Sequence, residues 1–166
     1  DVMKQRDNIC NYLDMPLQHA SDRMLTAMKR QITRREMEEL IAAIREKVPG
    51  VCLRTSLITG FPGETRDDVE ELKEFIEKIR FERLGAFAFS NEEGTYAFEN
   101  YQDNVPEEVK LRRVDEIMAV QQKISAEINQ TKIGRKLKVI IDRQEGGNFI
   151  GRTEFDSPEV DPEVII

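Results

Sequence analysis

The stretch Ile58-Thr59-Gly60-Phe61-Pro62-Gly63-Glu64-Thr65 joins a strand-like run to a helix-like run. Gly60 and Gly63 permit positive φ or a close approach of backbone to a ligand. Pro62 fixes one φ between them. Thr65, with Asp68 three residues on, reads as a helix start. A turn at the C-terminal end of a strand, opening a helix, is where α/β folds bind ligands. No Lys-Ser/Thr follows the second glycine, so this is not a P-loop. Arg54 sits mid-strand, opposite the apolar set. A guanidinium there meets a carboxylate, from the protein or from a ligand. Tyr12, Asp14 and Gln18 form the polar set of an earlier alternating run, and inward polar residues are costly unless paired. His19, the sole histidine, reads as a shaper of the loop after that run rather than as a catalyst. Cys10 and Cys52 are far apart, fit no metal spacing and read as reduced and buried.

The elements that must position these groups follow from periodicity. Residues 9–17 alternate as a strand, with Ile9, Leu13, Met15 and Leu17 on one face. Ser21 to Arg30 predicts a short helix around Met24, Leu25 and Met28. Thr33-x-x-Glu36 is a capping box. It opens a helix with the stripe Met37, Leu40, Ile41, Ile44 and Val48, stopped by Pro49-Gly50. Val51 to Ile58 is a second strand, with Val51, Leu53 and Leu57 opposite Arg54 and Ser56. Asp67 to Arg80 predicts a helix burying Val69, Leu72, Phe75, Ile76 and Ile79. Gly85 to Ser90 is a third strand, and Asn91 to Asn104 a polar loop. Strands alternating with helices imply a parallel sheet. Three such units are too few to close a barrel, so they read as half of one. Asn104 to Thr131 is one long helix with Val114, Ile117, Met118, Ile124 and Ile128 along its stripe. Beyond Gly134, Lys136–Asp142 and Asn148–Phe155 form an antiparallel pair around Glu145-Gly146-Gly147-Asn148.

The 166 residues carry a formal charge of −7, with 34 % charged and 39 % hydrophobic side chains. This is the profile of a soluble globular chain with a real core and no membrane span. Nothing at its start reads as a signal peptide, and a cytoplasmic setting is expected. The negative balance argues against broad nucleic-acid binding and suits a basic partner.

Leu13-Asp14-Met15-Pro16-Leu17-Gln18-His19-Ala20-Ser21-Asp22, then Gly60-Phe61-Pro62-Gly63-Glu64-Thr65, then Phe89-Ser90-Asn91-Glu92-Glu93-Gly94-Thr95 resemble the radical S-adenosylmethionine methylthiotransferases in order and spacing. Gly151-Arg152-Thr153 and Asp156-Ser157-Pro158-Glu159-Val160-Asp161 resemble their TRAM domain. Leu-Asp-x-Pro-Leu-Gln-His-Ala-Ser is similar to the branch that methylthiolates the β-carbon of an aspartate in a small-subunit ribosomal protein. The tRNA-modifying branch, and a non-catalytic protein-binding module, are the alternatives. The resemblance implies an α/β fold. Residues 1–131 would hold the C-terminal three βα units of a radical SAM barrel and the long linking helix. Residues 132–166 would hold the start of an OB-like TRAM domain.

It also implies S-adenosylmethionine and two 4Fe–4S clusters in the full-length enzyme. The family's Cys-x-x-x-Cys-x-x-Cys is not in this sequence, so neither cluster would be ligated here, and the fragment is expected to be inactive alone. By resemblance, Gln18 and Arg54 would meet polar groups of the cofactor. Ile58, Gly60 and Gly63 would flank adenine and ribose, and Phe89 and Ser90 would offer backbone. No catalytic residue is assigned. From Asp142 to Ile166 two basic residues stand against seven acidic ones. Glu154, Asp156, Glu159 and Asp161 are therefore expected to meet a basic ribosomal protein, with nucleic acid unlikely as direct substrate. The open strand edge of a half barrel would favour self-association.

Overall fold

The computed structural model describes residues 2–6 and 8–166. A short helix α1 (Val2–Gln5) precedes β1 (Tyr12–Asp14), α2 (Asp22–Ala27), α3 (Arg34–Lys47), β2 (Cys52–Thr59), α4 (Arg66–Ile79), β3 (Arg83–Ala88), α5 (Tyr96–Asn100) and α6 (Glu107–Gln130). Then come β4 (Val139–Glu145), β5 (Asn148–Thr153) and β6 (Val164–Ile165). β1, β2 and β3 form a parallel sheet in that order; β4, β5 and β6 form an antiparallel one.

In the parallel sheet, residues in register share a face, so one set of positions meets the helices. Leu53, Thr55, Leu57 and Thr59 are 0 % exposed on that face. Against them pack Met37 and Ile41 of α3, Leu72, Phe75 and Ile76 of α4, and Ile117 and Ile124 of α6. The opposite face, the lumen side of the half barrel, pairs Asp14 with Arg54, Ser56 with Gly85, and Ile58 with Phe87. Thr33 and Thr65 both close reciprocal capping boxes, with Glu36 and Asp68, which fixes where α3 and α4 leave their loops.

The first strand is shorter than its alternation predicts. It ends at Asp14, and only an isolated bridge from Gln18 to Leu57 resumes the pairing. Pro16 has no N–H to give a ladder, and the Thr55 hydroxyl spans the gap. It donates to the Met15 carbonyl at 2.8 Å and accepts from Leu17 N–H at 3.3 Å. β3 begins two residues earlier than expected and ends at Ala88, which leaves Phe89 and Ser90 beyond it. The predicted polar loop contains α5, capped by Thr95, whose side chain accepts from Phe98 N–H. α6 buries Lys110 and Gln121 together with Ile117 and Ile124, whereas Met118 stays exposed. In the second sheet, Gly146 and Gly147 have φ of +55° and +89°, the conformation a two-residue hairpin turn requires. β6 adds a third strand to the expected pair.

Candidate functional site

The two ends of the parallel sheet are built differently. At the C-terminal ends of the strands, the mouth, a buried carboxylate gathers the loops. Glu64 Oε1 lies 3.2 Å from His19 Nε2, and its Oε2 accepts from Gly60 N–H at 2.9 Å and from Arg113 Nη1 at 2.6 Å. His19 Nδ1 accepts the N–H groups of Ala20 and Ser21 at 2.9 and 3.0 Å. That leaves its proton on Nε2, facing Glu64. The side chains of His19 and Glu64 are 0 % exposed. The loop after β1, the loop after β2, and α6 are thus held by one carboxylate. His19 shapes its loop, as its sequence context suggested.

A second carboxylate sits beside the first. Asp68 accepts from Ser21 Oγ at 2.7 Å and from Thr65 N–H at 2.7 Å, and it pairs with Arg23. Burial alone would push its pKa up, but the bonds from Thr65, Ser21 and Arg23 hold it well below the ordinary carboxylate range.

Gly60 has φ of +77°, and its open face is filled from within the chain. A Cβ there would lie 2.2 Å from Lys110 Cγ. Lys110 Nζ donates to the Phe89 carbonyl at 3.2 Å and pairs with Asp103 at 2.6 Å. Phe89 N–H donates to the Thr59 carbonyl at 2.8 Å, and its ring packs edge-on to Phe61 with centroids 5.0 Å apart. Gly63 N–H donates to Asn104 Oδ1 and its carbonyl accepts from Arg23. Gly60, Gly63 and Phe89 therefore already have partners within the chain. Gln18 and Ile58 are partly open, whereas the exposed Ser90 donates its hydroxyl to Glu92 Oε1 at 2.5 Å. Gln18 is held at φ of +75°, a left-handed conformation uncommon outside glycine, while its N–H meets Ser56 O and its carbonyl meets Ile58 N–H. Ile58 is half-buried beside Phe87, which is 55 % exposed on the lumen face. Phe87, and Ser56 one step below Ile58 on the same face, were not singled out as site residues.

At the N-terminal ends of the strands, the floor, arginines take the place of carboxylates. Arg54 donates to Asp14 Oδ2 at 2.9 Å, and its Nε lies 3.5 Å from Asp161 Oδ1. Tyr12 O–H donates to Asp161 Oδ2 at 3.2 Å. Burial, and then Asp161, push the Tyr12 phenol up to about 12. Arg83 donates through Nε to Asp156 Oδ1 at 3.1 Å. Arg54 thus meets carboxylates of the protein, one of them from the second unit.

The expectation of an acidic partner face is corrected for two of its four residues, Asp156 and Asp161. Asp156 is 8 % exposed and the Asp161 side chain 5 %, because each answers an arginine of the first sheet. Asp142 pairs with Arg152, and Glu145 and Glu163 pair with Arg143. Of the seven acidic residues counted there, Glu154 and Glu159 alone lack a cation among the described residues. Cys52 is buried and Cys10 exposed, the latter contrary to expectation, since the segment preceding β1 leaves the sheet. Among the described residues no cluster of three or more His, Cys, Asp or Glu side chains is placed to hold a metal ion, and no helix is long and apolar enough to cross a membrane.

Residues 1–76 match the Radical SAM superfamily and residues 133–166 the TRAM domain. The ribosomal protein uS12 methylthiotransferase RimO of Bacteroides fragilis is 59 % identical over 99 % of the chain. That of Porphyromonas gingivalis is 61 % identical over 99 % of it, and that of Cytophaga hutchinsonii 55 % over all of it. The chain spans 38 % of the length of each. Among solved structures, coproporphyrinogen III oxidase (HemN) from Escherichia coli, a radical SAM enzyme, shares the fold. Its TM-score is 0.60 over 87 % of this chain and 39 % of that one, at 14 % identity.

Proposed function

We propose that this chain is a segment of a radical SAM methylthiotransferase and that it supplies one wall of the cofactor chamber in an enzyme that methylthiolates an aspartate of a small-subunit ribosomal protein. Residues 1–131 would be the half barrel with its linking helix, and residues 132–166 the first part of the TRAM domain. The observation that carries the reading is the open strip on the lumen face near the mouth. Ile58 and Phe87 lie side by side, one half-buried and the other exposed, with Ser56 below them on the same face, and the Gln18 backbone, in register with Leu57, bonds Ile58 N–H at the rim. An apolar step of this kind suits the flat face of a purine, and an amide and a hydroxyl suit the polar edges of an adenosyl group.

When bound, S-adenosylmethionine and iron–sulfur clusters supply the radical chemistry that functionalises an unactivated carbon. What this chain does is positional. Glu64 holds three elements around the mouth, so Gln18 is presented from a fixed loop, beside Ile58 at the end of β2. Ile58 and Phe87 keep water off the face they cover. Cys10 is exposed and Cys52 buried, and neither belongs to a group of three or more metal-binding side chains among the described residues, so both clusters would be ligated by residues outside this segment. The uS12 substrate named for the relatives is proposed for the longer protein that carries this segment, in the cytoplasm.

The test is S-adenosylmethionine binding by calorimetry in that longer protein with its clusters loaded. Ile58→Asp places a charge on the apolar step and should weaken binding at least about tenfold, roughly the worth of one buried apolar side chain. Gln18→Ala should weaken it less. Wild-type affinity in both variants would remove the strip from the cofactor site.

A further inference from the structure

The lumen side of the sheet's lower end carries a thiol and two guanidinium groups that the cofactor strip does not use. Cys52 is 3 % exposed and Arg83 8 %. Both lie under the turn that follows β5. The Cys52 thiol donates to the Phe155 carbonyl at 3.4 Å, and Asp156 answers Arg83. A few residues further on, Asp161 answers Arg54. Asp156 is also fixed on its own side, where its Oδ2 accepts Thr153 N–H at 3.2 Å and the Thr153 hydroxyl. Its carboxylate is therefore presented in a set direction, not swept across the surface.

We propose that residues 155–161 are the floor of the lumen: the arginines of the first sheet form a docking surface for carboxylates, and its occupant is this chain's own second unit. Charge complementarity selects that occupant. Each of Arg54 and Arg83 faces one aspartate of the segment, across a separation of 73 residues in the second case. The acidic excess of residues 142–166 is in part the counter-charge of these arginines. Burial pushes the Cys52 thiol up to about 12, with Arg83 pulling the other way, which agrees with a lid that excludes water from the thiol. The second unit then rides with the half barrel instead of swinging from α6, and solvent reaches Ser56 and Ile58 from the mouth. None of this depends on the cofactor reading, and its failure would leave that reading intact.

Cys52 provides the readout and Cys10, exposed, the internal reference. The chain is mixed with a small aromatic disulfide reagent under native conditions. Cys10 should react at once and Cys52 at least about a hundredfold more slowly, because its exposure needs the unit above it to lift. Asp156→Asn with Asp161→Asn should speed Cys52 about tenfold or more while amide exchange in β2 and α4 keeps its protection. Arg83→Asp alone should do the same, and Arg83→Asp with Asp156→Arg should restore slow labelling. Equal rates for the two thiols in the wild type would overturn the proposal. So would unchanged Cys52 labelling in the folded double asparagine variant, or loss of β2 and α4 protection in step with it, since the aspartates would then be holding up the sheet and not docking a separate body.

Discussion

The mouth and the floor of one three-stranded sheet solve the same problem with opposite charges. At the mouth a buried carboxylate, Glu64, accepts from a histidine, a backbone N–H and an arginine. At the floor, arginines on the sheet wait for carboxylates brought from the second unit. The mouth network is closed within the first 113 residues. The floor is closed only when residues 156 and 161 arrive. A buried charge is tolerable only with partners, so the mouth is complete as soon as α6 packs, whereas the floor depends on long-range assembly. The end proposed to hold a ligand is the one that needs nothing from the second unit.

The sharpest way to break this comparison is at Glu64. Glu64→Ala strands the His19 Nε2 proton, the Gly60 N–H and Arg113 inside the structure, and should cost about 3–5 kcal/mol of stability in urea titration. Glu64→Gln keeps one acceptor and should fall between that variant and the wild type. Gly60→Ala comes next. Its φ of +77° alone costs about 1–2 kcal/mol for a residue with Cβ. The new methyl must also displace the Lys110 stem, so a loss of roughly 2–3 kcal/mol is expected. An unchanged urea midpoint would mean that Lys110 does not fill the cradle.

At the floor the effects should be smaller and confined to the second unit. Arg83→Met leaves Asp156 with its Thr153 bonds and should cost about 2 kcal/mol. Hydrogen exchange should show the loss in β5, with β2 keeping its protection. Acid should act in the same place and more gently. Burial raises the Asp156 pKa, but Thr153 and Arg83 outweigh it, and the folded value lies below the ordinary 3.8. The stability this group adds is present above 3.8 and is lost as pH falls through the folded value. Cys52 labelling should therefore be flat from neutral pH to about 5, once corrected for the reagent's own pH dependence, and rise below 4. A rise already at neutral pH would point away from Asp156.

Much of this was legible in the sequence. The alternation of Val51 to Ile58, the two capping boxes and the Gly60–Gly63 turn gave the order of elements, and Arg54 was placed on the correct face. What alternation could not give was the length of β1. A period of two says which side a residue faces, but it does not say whether a ladder survives Pro16. Arg54 was read correctly as needing a carboxylate. That this would be Asp14 and Asp161 depends on a contact between residues 107 positions apart, which no local pattern encodes. The same blindness made Asp156 and Asp161 look like free surface charge. Lys110 and Gln121 were passed over because they interrupt an apolar stripe. Yet Lys110 fills Gly60, and Gln121 caps the Phe81 carbonyl at 2.9 Å.

α6 runs the height of the sheet, from Arg113 at Glu64 to Gln121 at Phe81 and Glu127 at Arg80. With 24 residues it is about 36 Å long. It therefore works as a phased ruler. Inserting a single residue between Arg113 and Gln121 would turn one contact about 100° away from the other. Length changes in this helix are tolerable only as near-whole turns, and a drift of even one residue would detune the two ends of the sheet against each other without altering any residue at either end.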